Sequence, residues 1–381
     1  MSVTPQDPMP AGIDEPTSIE DKQTEEYYLA SQAQLMWRKF KKHHLAIFGI
    51  VLLGVLYFIA AFCEFLSPYD PYQRFPDYAH MQPQRVRFFH EGRLVGPYVH
   101  GIATEFNNHS FRNTYVEDTS TIHRIRFFVR DSRYELWGLI PSRLHLFGSP
   151  DGQVFLFGTD ELGRDMFSKT MYAARVSLSI GLVGVALSFV LGCILGGISG
   201  YFGGGVDTVI QRIIEFLMSL PTIPLWMALA AALPPQWPSV ATYFGITVIL
   251  SIVGWTGVAR VVRGKILEVR VEDFVMSAEL NGLSQWMIIQ RHMLPAFMSY
   301  LIVHLTLAIP SMILAETALS FLGLGIKAPA LSFGVLLQDA QNVRTILLHP
   351  WLLIPGIFVI VTVLAFNFLG DGLRDSADPY R

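Results

Sequence analysis

Six apolar runs, set apart by polar stretches, constrain this chain more than any other feature. A helix needs roughly 20 residues to cross ~30 Å of hydrocarbon. Runs of that length lie near Leu45–Leu66, Val176–Tyr201, Ile210–Leu233, Val240–Val261, Ser299–Phe321 and Trp351–Leu369. Only 15% of the residues are charged, against about 25% in a soluble domain. The apolarity is gathered in blocks, the pattern of membrane spans rather than of one large core. The expected fold is therefore an all-α polytopic membrane protein with six transmembrane helices.

Basic residues near short flanks orient such a chain. Arg38, Lys39, Lys41 and Lys42 precede the first run, which places that end in the cytosol. Counting forward puts the segment carrying Arg260, Arg263, Lys265, Arg270 and Arg291 in the cytosol too, and the uncharged Pro234–Ser239 outside. Both termini are expected inside. Ser67–Thr170 is expected outside despite its arginines, because long loops translocate largely regardless of charge. The first residues carry Asp7, Glu15, Glu20, Asp21, Glu25 and Glu26 against Lys22, unlike the basic start of a secretory signal. The chain divides into a cytosolic tail (1–43), a first span (44–66), an outer insertion with a surface helix (67–170), a core of five spans (171–372) and a cytosolic end (373–381). A net charge of -3 leaves no basic surplus for nucleic acid.

The outer insertion reads as a small, mostly β unit. Alternation at Arg85–Phe88 and Ile125–Val129 predicts strands, and Leu144–Phe147 and Val154–Phe157 flank Ser149-Pro150-Asp151-Gly152 as a hairpin. His80, His90, His100, His109, His123 and His145 are scattered without metal-ligand spacing, so no metal site is expected. The unit suits either docking of an outer protein or packing on the membrane surface. Cys63 and Cys193 lie in apolar runs and read as small hydrophobes.

In the second run Gly184, Ser188, Gly192, Gly196 and Gly200 recur every fourth residue, a stripe that lets another helix approach closely. Ahead of it, Phe157-Gly-Thr-Asp-Glu-Leu-Gly-Arg-Asp165 reads as a glycine-punctuated turn into an amphipathic surface helix; the spacing of Asp160, Glu161 and Asp165 is not that of a calcium loop. After it, Gly200-Tyr-Phe-Gly-Gly-Gly-Val-Asp207 makes a tight cytosolic turn, with Arg212 and Glu215 placed to pair. Within the cytosolic loop 265–297, Phe274–Leu280 predicts a short helix stopped by Asn281-Gly282. Ser284 caps a second helix carrying Trp286, Ile289, Gln290 and Met293 and ending before Pro295. Its apolar face suits a groove on another protein, or the inner ends of the spans.

These stretches, in this order, resemble the permeases of ATP-binding-cassette importers, in particular the second membrane subunit of the dipeptide and oligopeptide group. The likeness rests on G-T-D-x-L-G-R-D-x-x-S, on G-Y-F-G-G-x-x-D, on the loop ending R-H-x-L-P, and on Ser67-Pro-Tyr-Asp-Pro71. It implies the type I importer permease fold, a second related permease, two ATPase subunits that bind the ATP, an outer solute-binding protein and the inner membrane. It implies no cofactor in this chain, and alternating access as the mechanism. It also implies an ATPase contact at Met276, Ser277, Ala278, Glu279, Gly282, Leu294 and Pro295. Met276 stands where the group has a glutamate, and Glu272 and Glu279 are the candidates to replace it, Glu279 favoured. Lys169 stands where the group usually has arginine, and Ala173 where it has glycine.

Other classes fit less well. No G-x-x-x-x-G-K-[ST] is present, so the chain is not itself an ATPase. Ionisable or amide residues within the runs are sparse: Glu64, His304, Glu316 and Asn367. An enzyme needs convergent groups and a channel a charged ring or carbonyl filter, and neither pattern is visible. Glu316, near the outer end of the fifth run, is the expected path-lining residue. Peptides are the expected cargo; a nickel complex, an oligosaccharide or an opine is the alternative.

Overall fold

The computed structural model describes residues 32–90, 92–107 and 112–377. The acidic stretch 1–31, His109 and the last four residues lie outside the described residues.

A short helix α1 (Gln32–Phe40) leads into α2 (His44–Ala61), the first span, and a turn of helix α3 (Cys63–Leu66) continues it. The second span, α4 (Met166–Phe202), runs 37 residues, roughly 55 Å at 1.5 Å per residue, and so projects beyond the hydrocarbon. The separate surface helix expected before this span is its first turns. Asp165 caps it, accepting from the Phe167 and Ser168 amides, and nothing breaks the helix before Gly203 at φ 67°. The third apolar run is not one helix. α5 (Gly204–Ser219) and α6 (Thr222–Ala231) meet at 89°, because Pro221 drives Leu220 into an extended conformation. The fourth and fifth spans are α7 (Ser239–Val269) and α11 (Met298–Phe321). Between them lie α8 (Asp273–Leu280), α9 (Gln285–Ile288), a π turn (Ile289–Met293) and α10 (Leu294–Ala296). After α12 (Phe333–Gln338) and α13 (Val343–Leu348), α14 (Ile354–Ala377) is the last span. Among the described residues five helices are long and apolar enough to cross a membrane, and the bent α5–α6 pair makes six crossings when counted as one.

The small-residue stripe of α4 decides how the bundle packs. All five residues are buried. A Cβ on Gly184 would lie 3.1 Å from Met312 of α11, on Gly192 2.5 Å from the Val258 Cβ of α7, and on Gly200 2.9 Å from the Ile266 Cβ. Gly196 backs onto the main chain at Ala259, and the Ser188 hydroxyl reaches the Ser251 carbonyl at 3.4 Å. On the other side of α4, Leu178 packs with Leu53 and Leu56 of α2, Ile313 of α11, Phe333 of α12 and Phe366 of α14.

The insertion is β as expected, with different pairing. β1 (Arg87–His90), β2 (Arg93–Asn107) and β3 (Arg112–Arg124) form an antiparallel sheet, and β4 (Arg126–Leu136) pairs with β5 (Ile140–Gly148). The predicted partner of Leu144–Phe147 is wrong. That stretch pairs instead with Phe127–Arg130 of β4 across the turn 137–139, whereas Val154 and Phe155 are buried as a plug, the Phe155 amide donating to Gln84 at 2.7 Å.

Candidate functional site

A groove of mixed polarity runs along one face of α11. A cavity of about 540 Å³ is lined by Lys265, Ser299, Tyr300, His304, Leu307 and Arg374. A second, of about 370 Å³, is lined by Ser188, Trp226, Gly254, His304, Leu307 and Ser311. His304 and Leu307 belong to both, so the two join end to end. Spacing of three to four residues from Ser299 to Ala315 keeps these side chains on one helix face for roughly 24 Å. One end is basic. The Lys265 ammonium lies 5.4 Å above the Tyr300 ring and 2.8 Å from Glu268. The other end is apolar apart from hydroxyls and the Trp226 indole, whose buried N–H has no acceptor among the described residues. Of these residues His304, Ser188 and Lys265 stood out in the sequence. The rest needed α6, α7, α11 and α14 brought together.

Glu316 does not line this groove. It is fully buried behind it, accepting from the Ser320 hydroxyl at 2.7 Å and the Ser177 hydroxyl at 3.2 Å; Ser177 in turn accepts from the Phe333 amide. Its neighbour Ala315 faces the second cavity, and one residue along a helix turns a side chain away by about 100°.

Three acids lock the span ends through four ion pairs. Asp160 meets Lys169 at 2.6 Å and Arg164 at 2.7 Å. Burial pushes its carboxyl up, but the two cations outweigh this and hold it below the usual range. Burial raises the neighbouring Asp165, which caps α4, to about 6 against its hydrogen bonds from Ser168 and Phe167. Glu64 pairs with Arg175 at 2.5 Å, and Asp207 takes a two-pronged contact from Arg263 at 2.6 Å. Asp160 sits in a glycine-punctuated turn and Asp207 just after the Gly203–Gly205 run, so the motifs around them are structural knots. The expected Arg212–Glu215 pair forms at 2.9 Å but is exposed and of little energetic weight.

The family models settle the class. The description "binding-protein-dependent transport system inner membrane component" matches residues 188–380, and "N-terminal TM domain of oligopeptide transport permease C" matches residues 31–83. This chain belongs to the binding-protein-dependent transport family. It is 43% identical over 225 residues to the dipeptide transport system permease protein DppC of Bacillus subtilis, covering 58% of this chain and 68% of that one. It is 36% identical over 231 residues to the oligopeptide permease OppC of the same organism, covering 60% and 73%. Against DppC of Lactococcus lactis identity is 31% over 344 residues, 90% of this chain and 89% of that protein. A solved structure of the MetNI methionine ABC transporter, facing inward, is a weaker likeness at 17% identity and a TM-score of 0.44, covering 55% and 97%. As a member of this family the chain is a multi-pass membrane transport component, not an enzyme.

In this permease the loop 265–297 is a helix–turn–helix with two faces. Val275, Ala278, Ile288, Ile289 and Met293 are buried against Tyr201 of α4 and Val262 and Ile266 of α7. Phe274, Met276, Leu280 and Trp286 are exposed, Leu280 at 91%. Gly282 turns at φ 74°, and the Ser284 hydroxyl caps α9 by accepting from the Met287 amide. The second helix does not stop before Pro295. A π turn absorbs the missing amide and the chain stays helical through Ala296, with Leu294 half-buried and Pro295 exposed. Ser277 and Glu279 are exposed, yet Glu279 already accepts from the Tyr201 hydroxyl at 2.8 Å, with Arg270 over the Tyr201 ring. Sequence spacing did not foresee that contact.

Proposed function

We propose that this chain is the permease of an ATP-driven importer whose cargo is peptides, and that the α11 groove is its half of the translocation path. The groove carries the reading: a continuous face of one span, basic at one end and apolar at the other. A peptide brings a carboxylate, backbone amides and side chains of every polarity. Lys265 and Arg374 suit the first, and Ser188, Ser311 and the unpartnered Trp226 N–H suit the second. The relatives named as dipeptide and oligopeptide permeases support the same cargo. A related permease completes the path from the opposite side, and an outer binding protein delivers solute.

The basic flanks support cytosolic termini in a bacterial inner membrane. One of the two ATPase subunits seats on Phe274, Met276, Leu280 and Trp286. Because the buried face of the same loop packs on α4 and α7, nucleotide-driven motion of the ATPases reaches the groove through rigid contacts. Nucleotide binds the ATPases, and this chain only changes conformation.

Reconstitution with the partner subunits tests this. Peptide uptake is expected only with ATP and binding protein present. Leu307→Trp, at the joint of the two cavities, is expected to abolish uptake while the complex still assembles. Uptake without ATP, or undiminished in Leu307→Trp, would refute the reading.

A further inference from the structure

The β4–β5 hairpin presents apolar surface that the permease core does not need. Phe127 (61%), Phe128 (64%), Leu139 (80%), Trp137 and Ile140 are all exposed, interleaved with exposed Arg126, Arg130, Arg133 and Arg143. In sequence this pattern alternates and reads as an ordinary strand. In space the hairpin lies against the end of the first span. The Trp137 indole N–H donates to the Ala61 carbonyl at 2.7 Å, its amide donates to Glu64 at 3.3 Å, and the His145 ring bonds the Ser67 carbonyl at 2.6 Å.

The hairpin is also continuous with the exposed apolar side of α2. Phe58, exposed one turn from the Ala61 end of that span on the same side as Phe48, Val51 and Val55, contacts Phe62 at 4.9 Å between ring centroids. Phe62 contacts Trp137 at 5.7 Å, and Phe65 contacts Phe128 at 6.3 Å. Two sets of aromatic contacts, Phe58–Phe62–Trp137 and Phe65–Phe128, thus run off the span onto the hairpin. Trp137 and Phe128 both hold left-handed backbone, φ 55° and 57°, which bulky side chains rarely adopt. Trp137 does so in the turn, and Phe128 near the start of β4, next to α3.

We propose that this hairpin is a membrane-interface anchor, lying on the leaflet at the Ala61 end of α2 with its aromatic and aliphatic side chains among the upper acyl chains and its arginines at the lipid phosphates. Aromatic residues and long cations are the side chains that settle at that depth. Lipid is the occupant because the exposed apolar surface continues without a break from a span that is itself lipid-facing, and because arginine complements phosphate. The anchor also roofs the Glu64–Arg175 pair, which sits at the same level. The inference rests on α2 being a membrane span and not on the cargo, so a failed peptide-uptake assay leaves it standing.

The test uses the assembled transporter in nanodiscs of phosphatidylcholine and phosphatidylglycerol. Leu139→Cys, highly exposed and free of packing, is labelled with nitrobenzoxadiazole, and the unsubstituted chain supplies the background from Cys63 and Cys193. Lipids brominated high on the acyl chain are expected to quench the label at 139 to at least half the extent seen at lipid-facing Val51→Cys. A label at Ser120→Cys on β3 should be unaffected. Quenching at 139 no greater than at 120, with 51 quenched normally, overturns the proposal. So does a label at 139 shielded from both bromine and aqueous iodide, which would place protein rather than lipid on this surface.

Discussion

Lys169→Met strips one of two cations from a carboxylate that has no access to water. Asp160 is 0% exposed and Lys169 3%, with 2.6 Å between them, so the aspartate left behind cannot recover hydration. Removing one partner of a buried pair costs about 3–5 kcal/mol. Arg164, 2.7 Å away and 18% exposed, remains as partial compensation and places the expectation at the lower end, ~3 kcal/mol. For a chain of this size that lowers the unfolding midpoint by roughly 5 °C. The midpoint is read by thermal denaturation of the purified complex at pH 7.5. Lys169→Arg should recover most of the loss. The double variant Lys169→Met/Asp160→Asn should be less destabilised than Lys169→Met alone, since the uncompensated charge is gone. Because Asp160 is held below its ordinary value, its contribution is complete above about pH 4 and disappears as pH falls further. A loss below 1 kcal/mol for Lys169→Met, or a double variant worse than either single, would refute the buried-pair argument.

Asp165 should behave oppositely. Its raised value, about 6, means that its charge opposes folding near neutrality, a stabilising contribution being complete below about pH 4 and lost as pH rises through 6. Asp165→Asn, which still caps α4, is therefore expected to match or exceed the parent midpoint at pH 8 and to lose that margin at pH 5. Gly192→Leu should abolish accumulation in the membrane, because even a Cβ would meet Val258 at 2.5 Å, whereas Gly257→Ala, with open space around it, should accumulate normally. At the loop, Leu280→Ser and Met276→Ala should weaken co-purification of the ATPase several-fold at any salt, while Glu279→Gln changes it less than twofold because Tyr201 already holds that carboxylate; a salt-sensitive loss in Glu279→Gln would sink this ordering. An alkaline-phosphatase fusion at Ser149 should be active and one at Arg381 silent.

Membrane crossings, small-residue packing, loop caps and family motifs were legible in the sequence because each is a local pattern. Apolar length sets the spans. A repeat of four sets a helix face. Asn281-Gly282 and Ser284 carry their own turn and cap chemistry. Pro221 was visible too, but an 89° break needed the neighbouring helices to decide which way the chain turns. Partnerships across distance were not legible. Nothing in the sequence ties Asp207 to Arg263, Glu64 to Arg175 or Glu279 to Tyr201, since ion pairs between helices depend on how those helices rotate and slide. The same holds for the groove, whose lining comes from α4, α6, α7, α11 and α14, and for Glu316, which one residue of helical rotation moves from the expected path into a sealed hydroxyl nest. The hairpin register fell to tertiary structure as well. β4 and Val154–Phe157 both offered Leu144–Phe147 an apolar partner, and burial of Phe155 among Tyr69, Phe75 and Tyr78 removed one of them.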